Sequence, residues 1–187
     1  MSLSFRSTTI LAGAASVLLA LSLLAAIAPS RSEARNLIAP ANACKNVSGQ
    51  GPKTKATQSM LCFTNYARSK KGLKRFRSVG TLNFASKKKA ADILRCDQFS
   101  HEACGREFTY WMKRSGYRGC SLGENIAFGT GRLGSSKRIF IAWMNSRGHR
   151  SAILSRDFRD IGIGLRTGRM DGMGGAQVWV QNFGRPC

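Results

Sequence analysis

The chain has 187 residues, 43% of them hydrophobic and 21% charged, with a formal net charge of +21. That length leaves room for one domain of roughly 100–200 residues rather than several, with enough hydrophobic residues for a packed core. A surface this basic draws anionic polymers or membranes toward it, without naming one and without defining a fold.

Residues 1–34 read as an export signal. Arg6 and the amino terminus supply a positive start, Thr8 to Ala28 is uncharged and rich in Leu, Ala and Ile, and small residues follow. Ser32-Glu33-Ala34 places cleavage before Arg35, and Ala26-Ile27-Ala28 and Ala41-Asn42-Ala43 also fit. A secreted, extracellular product is expected. The alternative is a chain anchored by an uncleaved leader, since about 20 apolar residues can span a bilayer. Removing 1–34 takes away only Arg6, Arg31 and Glu33 among charged residues, so the basic character survives.

All six cysteines, Cys44, Cys62, Cys96, Cys104, Cys120 and Cys187, lie beyond the leader. An even number in an exported chain implies disulfides rather than free thiols. No C-x-x-C occurs, which weakens a zinc reading. Cys96–Cys104 is the preferred pair, tying a helix end to the loop that holds His101. The remaining pairings stay open.

Residues 35–55 carry Pro40, Pro52, Gly49 and Gly51 without periodicity and read as a flexible tether. A helix is expected over Thr57 to Lys70, with Leu61, Asn65 and Arg68 on one side and Gly72 as its stop. A second, Val79 to Arg95, buries Leu82, Ser86, Ala90, Ile93 and Leu94, and Lys87-Lys88-Lys89 reads as a solvated face. A third, Arg106 to Ser115, carries Phe108, Trp111 and Met112 as core. Glu124 opens a short strand, Asn125 to Phe128. Gly129-Thr130-Gly131 breaks it and is no phosphate loop, because no G-K-[ST] follows. A fourth helix starts at Ser135 or Ser136, with Ile139, Phe140, Trp143 and Met144 apolar and Gly148 and His149 just past its end. Strands at Asp160 to Thr167 and Ala176 to Phe183 flank a glycine-rich hairpin loop, Gly168 to Gly175. Helices at the chain's two ends with antiparallel strands predict an α+β sandwich.

The chain has two histidines, His101 and His149. Glu124 lies between them, in Gly123-Glu124-Asn125-Ile126-Ala127. Two imidazoles and a carboxylate on three separated segments predict one cleft assembled by folding. Ser146 stands close to His149 in sequence, and a Ser–His pair can be imagined there. Helix closure or a hydrogen bond to His149 is the plainer role.

These motifs resemble those of the CAP superfamily: cysteine-rich secretory proteins, antigen 5 and plant pathogenesis-related proteins, in the bacterial SCP-like extracellular branch. The marks are N-x-x-R-x-x-x-G-L (Asn65, Arg68, Gly72, Leu73), F-S-H (Phe99 to His101), G-E-N-I-A (Gly123 to Ala127), W-M-N-S-x-G-H-R (Trp143 to Arg150), and I-G-I-G before a final aromatic strand. They run from Met60 to Gly184 in the family's order. The resemblance implies a CAP domain over 56–187, folded as a three-layer αβα sandwich with a small antiparallel sheet between helices. It also implies secretion and a cleft of two His and two acids that holds a divalent metal in some members. His101, Glu124 and His149 match three of those four positions. The fourth acid falls three residues after the helix Trp, where this chain has Ser146, so reduced metal affinity is implied.

The reading is a secreted binding module. Its cleft is formed by His101, Glu124, His149 and Ser146, with no catalytic residue assigned. No cofactor is required; Zn²⁺ or another divalent metal would be held by His101, His149 and Glu124. The expected partner is a lipid or small apolar ligand, with no specific nucleic acid, and a monomer is expected. The alternatives are a metal-assisted hydrolase, with Glu124 as ligand or general base, and a cationic binder of anionic cell-surface polymers. Salt separates the last from the first: electrostatic binding falls steeply with salt, and cleft binding of an apolar group does not.

Overall fold

The computed structural model describes residues 36–187. The expected leader, 1–34, lies outside the described residues. Within them the elements run α1 (Lys53–Lys70), β1 (Arg77–Ser78), α2 (Gly80–Arg95), α3 (Tyr110–Arg114), β2 (Gly119–Thr130), α4 (Ser136–Asn145), α5 (Arg147–Leu154), β3 (Asp160–Met170) and β4 (Met173–Pro186). The sheet order is β1-β3-β4-β2, with β1 parallel to β3 and the other pairs antiparallel. The short parallel β1 is the one departure from the antiparallel sheet expected. Among the described residues no helix is long and apolar enough to cross a membrane.

Alternation along β3 and β4 sorts the layers, because successive strand residues point to opposite faces. Ile161, Ile163, Leu165, Trp179 and Phe183 face one side and form a core with Met60 and Phe63 of α1, Phe140 and Trp143 of α4, and Ile153 of α5. Ala176, Val178 and Val180 face the other side, against Ala90 and Ile93 of α2. The I-G-I-G run has a physical reason. A Cβ on Gly162 would lie 2.0 Å from the Leu82 carbonyl carbon, and one on Gly164 would lie 2.2 Å from that of Ser86. Glycine therefore lets the backbone of α2 rest directly on β3. The result is an αβα sandwich.

The N-x-x-R-x-x-x-G-L motif is architectural. Asn65 brackets the Phe76 backbone, donating to its carbonyl (3.1 Å) and accepting its N–H (2.8 Å). Arg68 is buried, stacks 3.6 Å from the Phe76 ring centroid and donates to the carbonyls of Lys74, Ile153 and Ser155. Burial lowers its pKa to about 10. Gly72 takes φ +63°, and the Leu73 N–H returns to the Arg68 carbonyl (2.9 Å), closing α1.

Several expectations need correction. Residues 36–55 are packed rather than a tether: Leu37, Ala39 and Cys44 belong to the core, and α1 begins at Lys53. Cys44–Cys62 fastens that segment to α1. The third helix is shorter than expected, and Gly168–Gly175 is mostly strand, turning at Asp171 and Gly172. The expected disulfides form, including the preferred Cys96–Cys104, with Cys120–Cys187 as the third.

Candidate functional site

Strand β2 is an edge of the sheet, and a cleft of about 720 Å³ opens over it between the two helical layers. His101 enters from the loop after α2, and His149 and Ser146 enter from the α4–α5 side. The walls are largely apolar: Phe99, Ile126, Ala127, Phe128, Ala142 and Trp143 line it. Phe99 packs edge-to-face on Phe128, with ring centroids 5.0 Å apart.

His149 does not sit past a helix end as expected. The chain breaks at Ser146, which takes extended φ/ψ, and restarts as α5; the Ser146 carbonyl accepts the Arg150 N–H (2.9 Å). His149 thus lies on the first turn of a second helix. A buried amide relay fixes that helix: Gln181 donates to the Thr64 hydroxyl (2.9 Å), and the Asn125 amide donates to Gln181 Oε1 and to the His149 carbonyl (3.2 Å each). Trp143 Nε1 donates to the Ile126 carbonyl (3.2 Å), tying α4 to the strand edge. The Trp143 and His149 rings lie 6.5 Å apart.

Glu124 is not a wall of the cleft. Its side chain is 1% exposed and sits beneath His101, whose Nδ1 lies 2.8 Å from Glu124 Oε1. The antiparallel register puts Asn182 opposite Glu124. With its amide turned to satisfy both neighbours, Asn182 donates to Glu124 Oε2 (3.1 Å) and faces the Ser86 N–H at 3.2 Å. Burial pushes the Glu124 carboxyl above its ordinary pKa, opposed by the His101 hydrogen bond and the Lys89 ammonium. Burial and the charge of His101 push the His149 imidazole below its ordinary value.

Lys89 was expected on a solvated face and is instead 2% exposed, donating to the His101 carbonyl. Burial lowers its pKa, with Glu124 first among the acids that oppose the shift. Its position carried a signal in the sequence: Leu82, Ser86, Lys89 and Ile93 share one helical stripe. Glu102, which no spacing argument placed, lines the cleft beside His101. Asn182 left no signal, because its role depends on strand register.

The arrangement does not fit a resident metal centre of His101, His149 and Glu124. Both Glu124 oxygens are engaged and its side chain is sealed from the cleft. Among the described residues no group of three or more His, Cys, Asp or Glu is placed to hold a metal. Two imidazoles are one ligand short of the three that protein zinc sites with an open position use. What the geometry does is orient His101: when Glu124 is ionised it can only accept, so it takes the Nδ1–H and a neutral ring keeps Nε2 as the acceptor.

The model of the cysteine-rich secretory protein family, CAP, matches residues 61–183. The chain is a member of the CAP family. The uncharacterized protein YkwD of Bacillus subtilis (strain 168) is 32% identical over 150 residues, covering 78% of this chain and 54% of that protein. The CAP chain therefore spans about half the length of the curated relative it matches. Two solved structures share its fold. An extracellular SCP-domain protein from Bacillus anthracis gives TM-score 0.58 at 24% identity, covering 74% of this chain and 45% of that one. An outer surface protein from Borrelia burgdorferi gives 0.63 at 18%, covering 73% and 96%. The family match spans every residue of the cleft, from Phe99 to His149.

Proposed function

We propose that this CAP chain is an exported binding protein whose β2-edge cleft takes a small ligand with an apolar body and a hydrogen-bonding head. The observation that carries the reading is the cleft's division of labour. Six apolar side chains form its walls, while Ser100, His101, Glu102, Ser146 and His149 add polar groups to the lining. Pockets of several hundred Å³ with apolar walls and a few convergent polar groups are the usual form of a small-molecule site. Glu124 and Lys89 hold His101 from beneath and take no part in contact. The three disulfides favour an oxidising, extracytoplasmic setting.

The test uses the neutral apolar fluorophore N-phenylnaphthylamine, chosen so that the protein's charge plays no part. Its emission should rise saturably on titration, with affinity unchanged from about 50 to about 500 mM salt, a range over which exposed charges become screened. Phe99→Ala and Phe128→Ala should each weaken binding by about tenfold, the scale of one lost aromatic contact with its buried area. Saturable binding that these changes leave intact would place the ligand elsewhere, and no saturable binding would end the reading.

A further inference from the structure

The opposite edge of the sheet carries a second groove. Strand β1 is only two residues long, so it covers β3 at Asp160 and Ile161 and leaves the edge uncovered beyond. Asn83 takes up one exposed group there, accepting the Ile163 N–H at 2.9 Å. A cavity of about 430 Å³ lies over this edge, between α1 on one layer and α2 on the other.

Three cations from three elements line it: Lys53 of α1, Lys87 of α2 and Arg166 of β3. No acidic side chain does. Among the described residues none of the three has an ion pair. The acids form theirs elsewhere: Asp92 with Arg95 and Arg106, Asp160 with Arg77, Glu107 with Lys113, and Glu124 with His101. Thr54, Gln58 and Asn83 add hydroxyl and amide groups to the lining. Three like charges around one hollow, which Leu61, Ile163 and Leu165 also line, repel one another, and no acidic side chain of the lining offsets that.

We propose that this groove binds a phosphate-bearing group. Three cations on three different elements line one hollow, and a phosphate monoester carries about 1.5 to 2 negative charges to set against them, more than a carboxylate does. The site is separate from the histidine cleft, on the other edge of the sheet, and stands independently of the function proposed for that cleft. The basic character of the whole chain attracts anions without direction. The groove supplies a place where one would be held.

The probe is inorganic phosphate, followed by backbone amide shifts on the folded, disulfide-bonded protein. Saturable shifts are expected at Thr54, Ser78 and Asn83. The triple variant Lys53→Gln, Lys87→Gln, Arg166→Gln should weaken binding about tenfold or more, as expected for loss of charge-assisted hydrogen bonds. A triple of equal charge loss at exposed sites away from the groove, Lys74→Gln, Arg118→Gln, Arg185→Gln, should change it less than about twofold. Vesicles of phosphatidic acid, a lipid with a phosphate monoester headgroup, in phosphatidylcholine then separate the sources. Sedimentation of wild type but not of the groove triple puts the phosphate on a lipid surface, and equal sedimentation of both puts the ligand in solution. Equal weakening by the two triples, shifts centred on Arg132, Lys137 and Arg138 instead, or no saturation would overturn the proposal.

Discussion

Glu124 and His149 are both partly or wholly removed from water, and desolvation gives them opposite pH dependences. Folding raises the Glu124 pKa, so it favours the protonated acid; that contribution is full below the ordinary value of 4.5 and is lost as pH rises through the folded value. Folding lowers the His149 pKa, so it favours the neutral ring; that contribution is full above 6.5 and is lost as pH falls through the folded value. Denaturation midpoints measured across this range should fall below pH 6.5 in the wild type, and His149→Asn should remove that part of the slope. Glu124→Gln should instead flatten the change that accompanies rising pH from 4.5. A His149→Asn profile that overlays the wild type would show that this ring is not desolvated. Gly162 gives a second prediction at this scale. Alanine there meets the α2 backbone, which cannot swing aside as a side chain can, so Gly162→Ala should cost about 3 kcal/mol or more. A thermal or chemical midpoint near that of wild type would contradict the direct seating of α2 on β3.

Among the elements, the loop that carries His101 is held at both ends. Cys96–Cys104 closes it over 8 residues, and Cys120–Cys187 closes a segment of 67. By loop-closure entropy the shorter bridge stabilises by about 2.5 kcal/mol and the longer by about 4 kcal/mol. The paired change Cys96→Ser and Cys104→Ser should therefore cost the less stability of the two bridges, yet speed amide exchange around Ser100 to Ala103 and weaken fluorophore binding. Unchanged exchange in that loop would mean that the Lys89 contact alone holds it. The elements also show what could be read from the chain. The alternation of Ile161, Ile163 and Leu165 announced β3, and Leu82, Ser86, Ala90 and Ile93 announced α2, because burial on one face imposes a period. The break at Ser146 did not announce itself: Arg147 to Leu154 spans only eight residues, of which Ile153 alone is fully buried, and it follows directly on α4. The anchoring of residues 36–52 escaped notice for another reason. It rests on a few buried residues, Leu37, Ala39 and Cys44, on irregular backbone, which has no period to detect.

Across the molecule, the shared placement of the two histidines in one cleft was legible, while the place of Glu124 beneath it was not. Sequence placed it with them, but only strand register shows that Asn182 and His101 consume both its oxygens and turn a candidate ligand into a positioning group. The two sheet edges give the molecule two unlike grooves, one apolar with imidazoles and one cationic, and salt should act on them differently. The most direct measurement of the central claim, that His101 and His149 share one cleft with His101 aimed by Glu124, is a long-range proton–nitrogen spectrum of the imidazoles at neutral pH, with and without N-phenylnaphthylamine. His101 is expected to carry its proton on Nδ1, Glu124→Gln to disturb this tautomer, and both rings to shift together as the fluorophore saturates. A His101 protonated on Nε2, or a bound fluorophore that leaves the two rings unmoved, would contradict it.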